Sequence, residues 1–280
     1  MILMKSRTAP LFAAPELPEP EAVARPMDAP ATPLEVPDRY ELKYLIPELR
    51  VEAVRRAIQT FCVLDPYCAK SPTQEYGIQS LYLDTPNRDL YRISRERRSR
   101  RWKARVRRYD GSDTVFLEVK NKDESLIKKL RARIPAAGWV QRIHSPGSEY
   151  ASPAERTFCG NLEQFHLVPT LMVRYMREAW MSTVDSYARV TFDRRVVCQP
   201  WGEWSLDCDD RQWLALDDSH SMLSVPRGVV LELKCLTAVP RWLSNVTQTA
   251  NLTRARYSKY CKGIERFWAR DTLLGRLQGI

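Results

Sequence analysis

Trp102-Lys103-Ala104-Arg105-Val106-Arg107-Arg108-Tyr109, then Asp110-Gly111-Ser112, then Thr114-Val115-Phe116-Leu117-Glu118-Val119-Lys120, is the stretch that decides the fold. Asp-Gly between two alternating runs marks a β-hairpin. Strand side chains point to opposite faces in turn, so Lys103, Arg105 and Arg107 share one face while Ala104 and Val106 share the other. The same two-residue beat of charges recurs in Arg39-Tyr-Glu41-Leu-Lys43, Arg131-Ala-Arg133 and Glu232-Leu-Lys234. In a single strand such a face is a solvated one, the open side of an antiparallel sheet. Repeated over several strands with cations dominant, it predicts a closed barrel that turns every charged face toward one axis. A lumen lined by Arg and Lys with a few carboxylates fits a polyanion and a metal ion.

Working outward from the hairpin, the pattern predicts about eight antiparallel strands with helices before, between and after them, an α+β fold built on a β tunnel. A strand from Arg39 stops at Pro47, and Val51, Val54, Ile58 and Phe61 then recur at helical spacing. Ile78 to Asp84 reads as a strand, Asn87 to Ser99 as a short helix running into a basic turn, and Lys128 to Ile134 as the strand after the hairpin. Helical pieces are expected near Ala154 to Phe165, and strands over Leu171 to Ala179, Tyr187 to Val197 and Val229 to Leu236. Trp201 to Arg227 is aromatic, acidic and irregular, and reads as loop or edge. After Pro240, Trp242, Val246, Leu252, Tyr260, Ile264, Phe267, Trp268 and Leu274 offer a helical apolar stripe.

Residues 1 to 38 hold eight of the nineteen prolines and read as an extended, disordered tail ahead of one domain over residues 39 to 280. The chain's net charge of +10 is concentrated beyond this tail, where acidic residues outnumber basic ones. So basic a domain attracts phosphate-rich partners. The seven cysteines include no Cys-x-x-Cys pair, and the three histidines have no metal-ligand spacing. Both patterns point to reduced, cytoplasmic thiols and away from a zinc site. No run of apolar residues is long enough for a membrane span. Nor is there a Gly-rich nucleotide loop or a Gly-x-Ser-x-Gly.

For chemistry, Arg105, Arg107, Arg177 and Arg189 offer forked donors for phosphoryl oxygens, with Lys43, Lys120 and Lys234 as point charges. Glu232, on the same face as Lys234, is an oxygen ligand suited to Mg²⁺ or Mn²⁺. Taken singly, each of these residues reads as a surface ion pair of little consequence. Basic runs such as Arg95 to Arg108 usually meet nucleic acid or solvent. From Trp102 onward, however, cations alternate with apolar residues as a structured strand requires, and no RNA-binding motif is present, which argues against nucleic acid.

In the order Arg39-Tyr-Glu-Leu-Lys-Tyr44, Leu81-Tyr-Leu-Asp-Thr85, Lys103-Ala-Arg-Val-Arg107 with Tyr109, Phe116-Leu-Glu-Val-Lys120, Arg189-Val-Thr-Phe-Asp193, Leu231-Glu-Leu-Lys234 and Tyr257-Ser-Lys-Tyr260, the chain resembles the VTC domain. That is the polyphosphate polymerase branch of the triphosphate tunnel metalloenzymes, and the likeness covers about residues 38 to 268. The resemblance implies an antiparallel β tunnel, ATP as phosphoryl donor, inorganic polyphosphate as product, and Mn²⁺ or a similar cation. Carried over by motif, Lys43, Arg105, Arg107, Lys120, Arg177, Arg189, Lys234 and Lys259 line the tunnel as phosphate ligands, and Glu232 holds the metal. Lys128 or Lys129, Arg131 and Arg256 match further phosphate contacts, and Arg95 or Arg98 matches an arginine ahead of the Arg-x-Arg strand. One departure matters. The triphosphatase and cyclase branches open with Glu-x-Glu-x-Lys, whereas Arg39 stands here in place of the first Glu, which argues for transfer over hydrolysis. The expected function is therefore a metal-dependent polyphosphate polymerase in the cytoplasm. The alternatives are a noncatalytic binding module for polyphosphate or inositol phosphates, and a tunnel-type triphosphatase.

Overall fold

The hairpin forms as its sequence requires. Gly111 takes the left-handed backbone (φ 69°) between the strands Arg100–Tyr109 and Thr114–Asp123, and Ser112 N–H closes the turn onto the Tyr109 carbonyl at 3.1 Å. The computed structural model describes residues 40–123, 126–145, 152–185, 187–219, 221, 222, 225, 227–236 and 238–277. The expected tail over residues 1 to 38, together with Arg39, lies outside them.

The elements run in the order β1 (Tyr40–Pro47), α1 (Val51–Ile58), β2 (Cys62–Leu64), α2 (Pro66–Lys70), β3 (Tyr76–Asp84), α3 (Asp89–Arg95), β4 (Arg100–Tyr109), β5 (Thr114–Asp123) and β6 (Leu126–Pro135). There follow α4 (Trp139–His144), α5 (Pro153–Gln164), β7 (Val168–Ser182), β8 (Ala188–Pro200), β9 (Leu214–Ala215), β10 (Gly228–Cys235), α6 (Arg241–Thr249) and α7 (Lys259–Leu277). Eight strands form one antiparallel ladder, β1-β10-β8-β7-β3-β4-β5-β6, with short β2 on β7 and β9 on β8.

The expected class is α+β with an antiparallel sheet, and the structure has it. Its closure differs from the closed barrel expected. Among the described residues no backbone ladder joins β1 to β6. Yet the sheet is curled, because Lys120 Nζ on β5 reaches Glu41 Oε2 on β1 at 2.5 Å. The seam is filled by the segment between α6 and α7. Ala255 N–H donates to the Lys43 carbonyl (2.7 Å), Arg254 bridges Tyr44, and Lys103 Nζ meets Ser258 Oγ at 2.7 Å. Twist explains this: as strands coil, the last one arrives at the first out of register, and side chains with a strap replace the missing ladder.

Alternation sorts the two faces. On the outside of β1, β8 and β10, Tyr44, Ile46, Val190, Phe192, Leu231 and Leu233 are buried under α1 and α6. On the outside of β3 to β6, Leu81, Leu83, Val106, Leu117, Val119 and Ile134 are buried under α4, α5 and Leu206. Each such side chain contributes about 1.5–3 kcal/mol by leaving water. The stretch expected as loop or edge, residues 201 to 227, supplies the short β9 on β8 and also packs, with Trp201, Trp204 and Trp213 set against the same core.

The C-terminal stripe is two helices, not one. α6 belongs to the outer layer, whereas Tyr260, Cys261 and Ile264 of α7 pack against Ile78, Tyr82, Leu171, Val173 and Tyr175, side chains on the concave face. Gly263 makes this approach possible, since a Cβ there would lie 2.4 Å from Leu171 Cδ2. Asp84 ties the helices in place. It accepts from Leu90 N–H (2.8 Å) and Tyr91 N–H (2.9 Å) at the start of α3, and from the Tyr260 hydroxyl. Part of the barrel interior is therefore filled by α7 and aromatic side chains, and the charges line the rest.

Candidate functional site

The two-residue beat fixes which charges share the lumen face. Register places Lys103, Arg105 and Arg107 of β4 beside Lys120, Glu118 and Phe116 of β5, with Lys129, Arg131 and Arg133 of β6 beyond. Across the barrel, Glu41 and Lys43 of β1 face Lys234 and Glu232 of β10, which face Arg189 and Thr191 of β8.

Glu118 is the hub of one wall. It is 1% exposed and takes Arg105 at 2.6 Å, Lys129 at 2.6 Å, Arg131 at 3.4 Å and Arg107 at 3.8 Å. Burial opposes its ionisation, but the Arg105 and Arg107 guanidiniums, with Lys129 and Arg131, overcome this and hold its carboxyl well below the usual range. Arg105 also donates to Tyr82 Oη (2.8 Å), and Arg107 to Ser80 Oγ (3.3 Å) and Tyr175 Oη (3.4 Å). Arg131 lies 3.7 Å above the Phe116 ring.

Three carboxylates serve the other wall. Glu232 meets Lys43 at 2.8 Å, Lys234 at 3.1 Å and Arg177 at 3.9 Å. Asp193, fully buried, binds the Arg177 fork at 2.7 and 2.9 Å and Lys259 Nζ at 2.5 Å. Glu41 pairs with Lys43 (3.2 Å) and Lys120 (2.5 Å). Burial pushes all three upward, and the neighbouring cations, Lys43 for both Glu41 and Glu232 and Arg177 for Asp193, bring them below their ordinary values. Burial lowers Lys103, Lys120 and Lys129, with Glu41 and Glu118 opposing it for the last two. Lys129 nevertheless keeps 32% of its side chain open to the lumen.

Of the residues singled out from sequence, Lys43, Arg105, Arg107, Lys120, Arg131, Arg177, Lys234, Lys259 and Glu232 are brought together here. Arg189 is on the same face, reaching Asp65 at 3.5 Å. Three are placed elsewhere. Arg98 follows α3 in an exposed ion pair with Glu96, Lys128 has the opposite parity to Lys129 and is exposed, and Arg256 is exposed in the seam strap. Arg95 closes α3. The open choice at the start of β6 thus falls to Lys129, for a one-residue step in a strand reverses the face. Residues missed as site members are the carboxylates Glu41, Glu118 and Asp193, and Lys103. The charge beat and the Phe-Asp193 ending of β8 contained the signal. What they lacked was the knowledge that the cations of three strands converge on one carboxylate.

A divalent cation fits this donor set in one way. No group of three or more His, Cys, Asp or Glu side chains close enough to hold a metal exists among the described residues. Glu232 and Glu41, joined through Lys43, supply hard oxygen donors, and the buried Thr191 hydroxyl opposite Glu232 has no hydrogen-bond partner. That suits an ion of the Mg²⁺ type, which takes one or two carboxylates and fills its remaining positions with phosphate oxygens and water. A surface cleft of about 710 Å³, lined by Glu48, Arg55, Glu75, Glu178 and Arg194, lies on the outer side of the sheet. Its charges pair with one another, Arg55 and Arg194 both on Glu178 at 2.9 Å, and so latch α1 to β7.

No curated protein matches the chain. Among solved structures, one assigned as an adenylate cyclase from Bacillus halodurans has a TM-score of 0.46 at 10% identity, covering 79% of this chain and 94% of that one. A Pyrococcus horikoshii OT3 protein has a TM-score of 0.42 at 14% identity, covering 84% and 99%. A Hippeastrum protein assigned as an adenylyl cyclase, with a dominant triphosphatase activity, has a TM-score of 0.40 at 13% identity, covering 80% and 93%. The VTC domain model matches residues 38–268, a span that holds every strand of the lumen and the start of the helix that enters it, and the chain belongs to the VTC domain family.

Proposed function

We propose that this protein is a metal-dependent polyphosphate polymerase that transfers the ATP γ-phosphoryl group to the end of an inorganic polyphosphate chain. The observation that carries the reading is the state of the lumen carboxylates. All four are held ionised and engaged by cations, with pKa values below their ordinary range. Such groups are weak bases and do not activate water well. The terminal phosphate of a polyphosphate chain is already an anion and needs no base.

In the step, a terminal oxygen of the chain attacks the γ-phosphorus in line. The bond from that phosphorus to the β-γ bridging oxygen breaks, ADP leaves with the electron pair, and the chain is one phosphate longer. Positioning and charge neutralisation carry such a transfer. Arg105, Arg107 and Lys129 swing their donors from Glu118 to phosphoryl oxygens. Arg177 and Lys259, held by Asp193, and Lys43 and Lys234, held by Glu232, close on them from the other wall. Arg189 Nε is buried without a hydrogen-bond partner and has donor capacity left for a ligand. When bound, Mn²⁺ or Mg²⁺ held by Glu232 and Glu41 supplies further positive charge to the phosphoryl oxygens. All seven cysteines are free thiols, the usage of a reducing compartment, and the proposal places the enzyme in the cytoplasm on that ground.

The test incubates the protein with ATP and Mn²⁺, resolves long-chain polyphosphate on a gel and assays free phosphate. Polymer is expected. Phosphate alone makes the protein a triphosphatase, and thermal stabilisation by tripolyphosphate with neither product makes it a binding module.

A further inference from the structure

At the seam four cations gather without an ion pair among the described residues, Arg101 donating only to the Arg98 carbonyl at 2.8 Å and Lys122 feeling Glu41 only at longer range. Arg101 on β4 stands opposite Lys122 on β5, one inward step beyond the Lys103 and Lys120 pair. Arg254 and Arg256 come from the strap beside β1, and Arg256 lies within electrostatic range of both Arg101 and Lys122. None of these four cations has a carboxylate partner among the described residues. The nearby acids are taken, Asp123 by Arg100 at 3.4 Å and Glu41 by Lys43 and Lys120. Lys103 lies between this patch and the lumen, its ammonium on Ser258 Oγ and not on an acid. A line of cations therefore runs from Arg105, through Lys103, to the surface at Arg101, Lys122, Arg254 and Arg256.

Clustered like charges cost stability, whereas deeper in the lumen Glu41, Glu118, Asp193 and Glu232 each hold two or more cations. Burial and the approach of Arg256 both disfavour the charged form of Arg101, and for Lys122 burial and Arg101, with Arg254 and Arg256, outweigh the pull of Glu41. Repulsion of this kind is relieved by an anion longer than the tunnel is deep. A triphosphate fully engaged by Arg105, Arg107 and Arg177 has nothing left to reach the patch. A long chain does.

We propose that Arg101, Lys122, Arg254 and Arg256 form an outer site for the part of a polyphosphate chain that lies outside the tunnel, so that affinity rises with chain length. The inference rests on the proposed function, and it adds the route by which the chain passes the seam strap. It also gives a place to Arg256, which is outside the lumen. Nucleic acid, the other polyanion of this charge density, is disfavoured because the patch adjoins the tunnel and has no exposed aromatic ring among its members for a base to stack on.

The test compares Arg101→Gln/Lys122→Gln/Arg254→Gln with the parent protein in binding tripolyphosphate and long-chain polyphosphate over a salt series. The triple variant is expected to keep tripolyphosphate affinity and to lose long-chain affinity by about tenfold or more at low salt, with a shallower salt dependence. A control variant, Arg50→Gln/Arg56→Gln/Lys70→Gln, removes three cations elsewhere on the surface and is expected to keep both. Unchanged long-chain affinity overturns the outer site, as does an equal loss in the control or an equal loss for tripolyphosphate. Competition by single-stranded RNA as strong as by polyphosphate also overturns it. A parent protein that binds neither ligand overturns instead the tunnel reading on which the inference stands.

Discussion

The two walls of the lumen neutralise their charges differently. On the β4, β5 and β6 wall a single carboxylate, Glu118, serves Arg105, Arg107, Lys129 and Arg131. On the β1, β7, β8 and β10 wall three carboxylates, Glu41, Asp193 and Glu232, serve Lys43, Arg177, Lys234 and Lys259, with Lys120 reaching over from β5. The first wall is net positive and set to exchange one anion for another. The second is near balance, and its carboxylates Glu41 and Glu232 both contact Lys43 and would be the ones offered to a divalent cation on the proposed function. On the proposed function both walls grip phosphate, and the second alone adds the carboxylates that would hold the metal.

The largest expected effect separates them by activity. Glu232→Gln is expected to abolish metal-dependent turnover while tripolyphosphate still raises the melting temperature. Arg105→Ala or Arg107→Ala is expected to weaken tripolyphosphate binding and to lower turnover by about 10²–10³, the cost of removing one charge-stabilising donor. The same profile in all three variants would erase the division between the walls.

Stability sharpens it next. Glu118→Gln leaves four cations facing one another. Removing one partner from a buried ion pair costs about 3–5 kcal/mol, and the lower end is apt where Lys129 and Arg131 retain access to water. Urea melts are expected to show that loss, with tripolyphosphate restoring part of it by binding only the folded chain. Glu41→Gln, which leaves Lys43 on Glu232, is expected to cost less. Equal losses would show that the hub is no more loaded than its counterpart.

Proton counting is the third test. The four lumen carboxylates lie below their ordinary values, so their contribution to stability is complete above about pH 4.3 and is lost as acid takes the pH down through the folded values. Lys103, Lys120 and Lys129 are shifted the other way relative to charge. Between their lowered folded values and the ordinary lysine value of about 10.4 the folded chain holds fewer protons there than the unfolded one, so over that window this part of the stability rises with pH. A bound polyanion pulls these ammonium groups back up. Tripolyphosphate binding at alkaline pH should take up protons and weaken as pH rises, which calorimetry in two buffers of different ionisation enthalpy measures. Binding without proton uptake would remove those lysines from the ligand's surroundings.

What the sequence made legible follows from range. Alternation is local, so the lumen faces of β4, β5 and β10 could be read from Lys103-Ala-Arg-Val-Arg107, Glu118-Val-Lys120 and Glu232-Leu-Lys234. The hairpin could be read from Asp110-Gly111. What depends on distant partners could not. β2 has three residues and exists because Cys62 to Leu64 find Trp180 to Ser182 across the chain. The break between α6 and α7 hides in a stripe of helical spacing, since Arg254 to Ser258 leave the helix to fill a seam no local signal describes. Asp84, noted for its motif, fastens α3 and α7 and takes no part in the lumen, a division of labour visible only once Leu90, Tyr91 and Tyr260 are seen to meet it.

The smallest effect isolates a single residue of the same contrast. Lys128 and Lys129 are neighbours of like charge in β6, and composition gives no reason to choose between them. Pairing of Lys120 with Lys129 and of Asn121 with Lys128 sends the first pair inward and the second outward. Lys129→Gln should therefore lower tripolyphosphate affinity by a few-fold to about tenfold, the worth of one charge-assisted hydrogen bond, with some gain in the freedom of Glu118 to hold Arg105. Lys128→Gln should leave that affinity unchanged. The paired variants control for net charge, so a difference between them reads the strand's parity directly. Equal effects would mean that β6 is shifted by one residue, and with it the position of Arg131 on the net-positive wall.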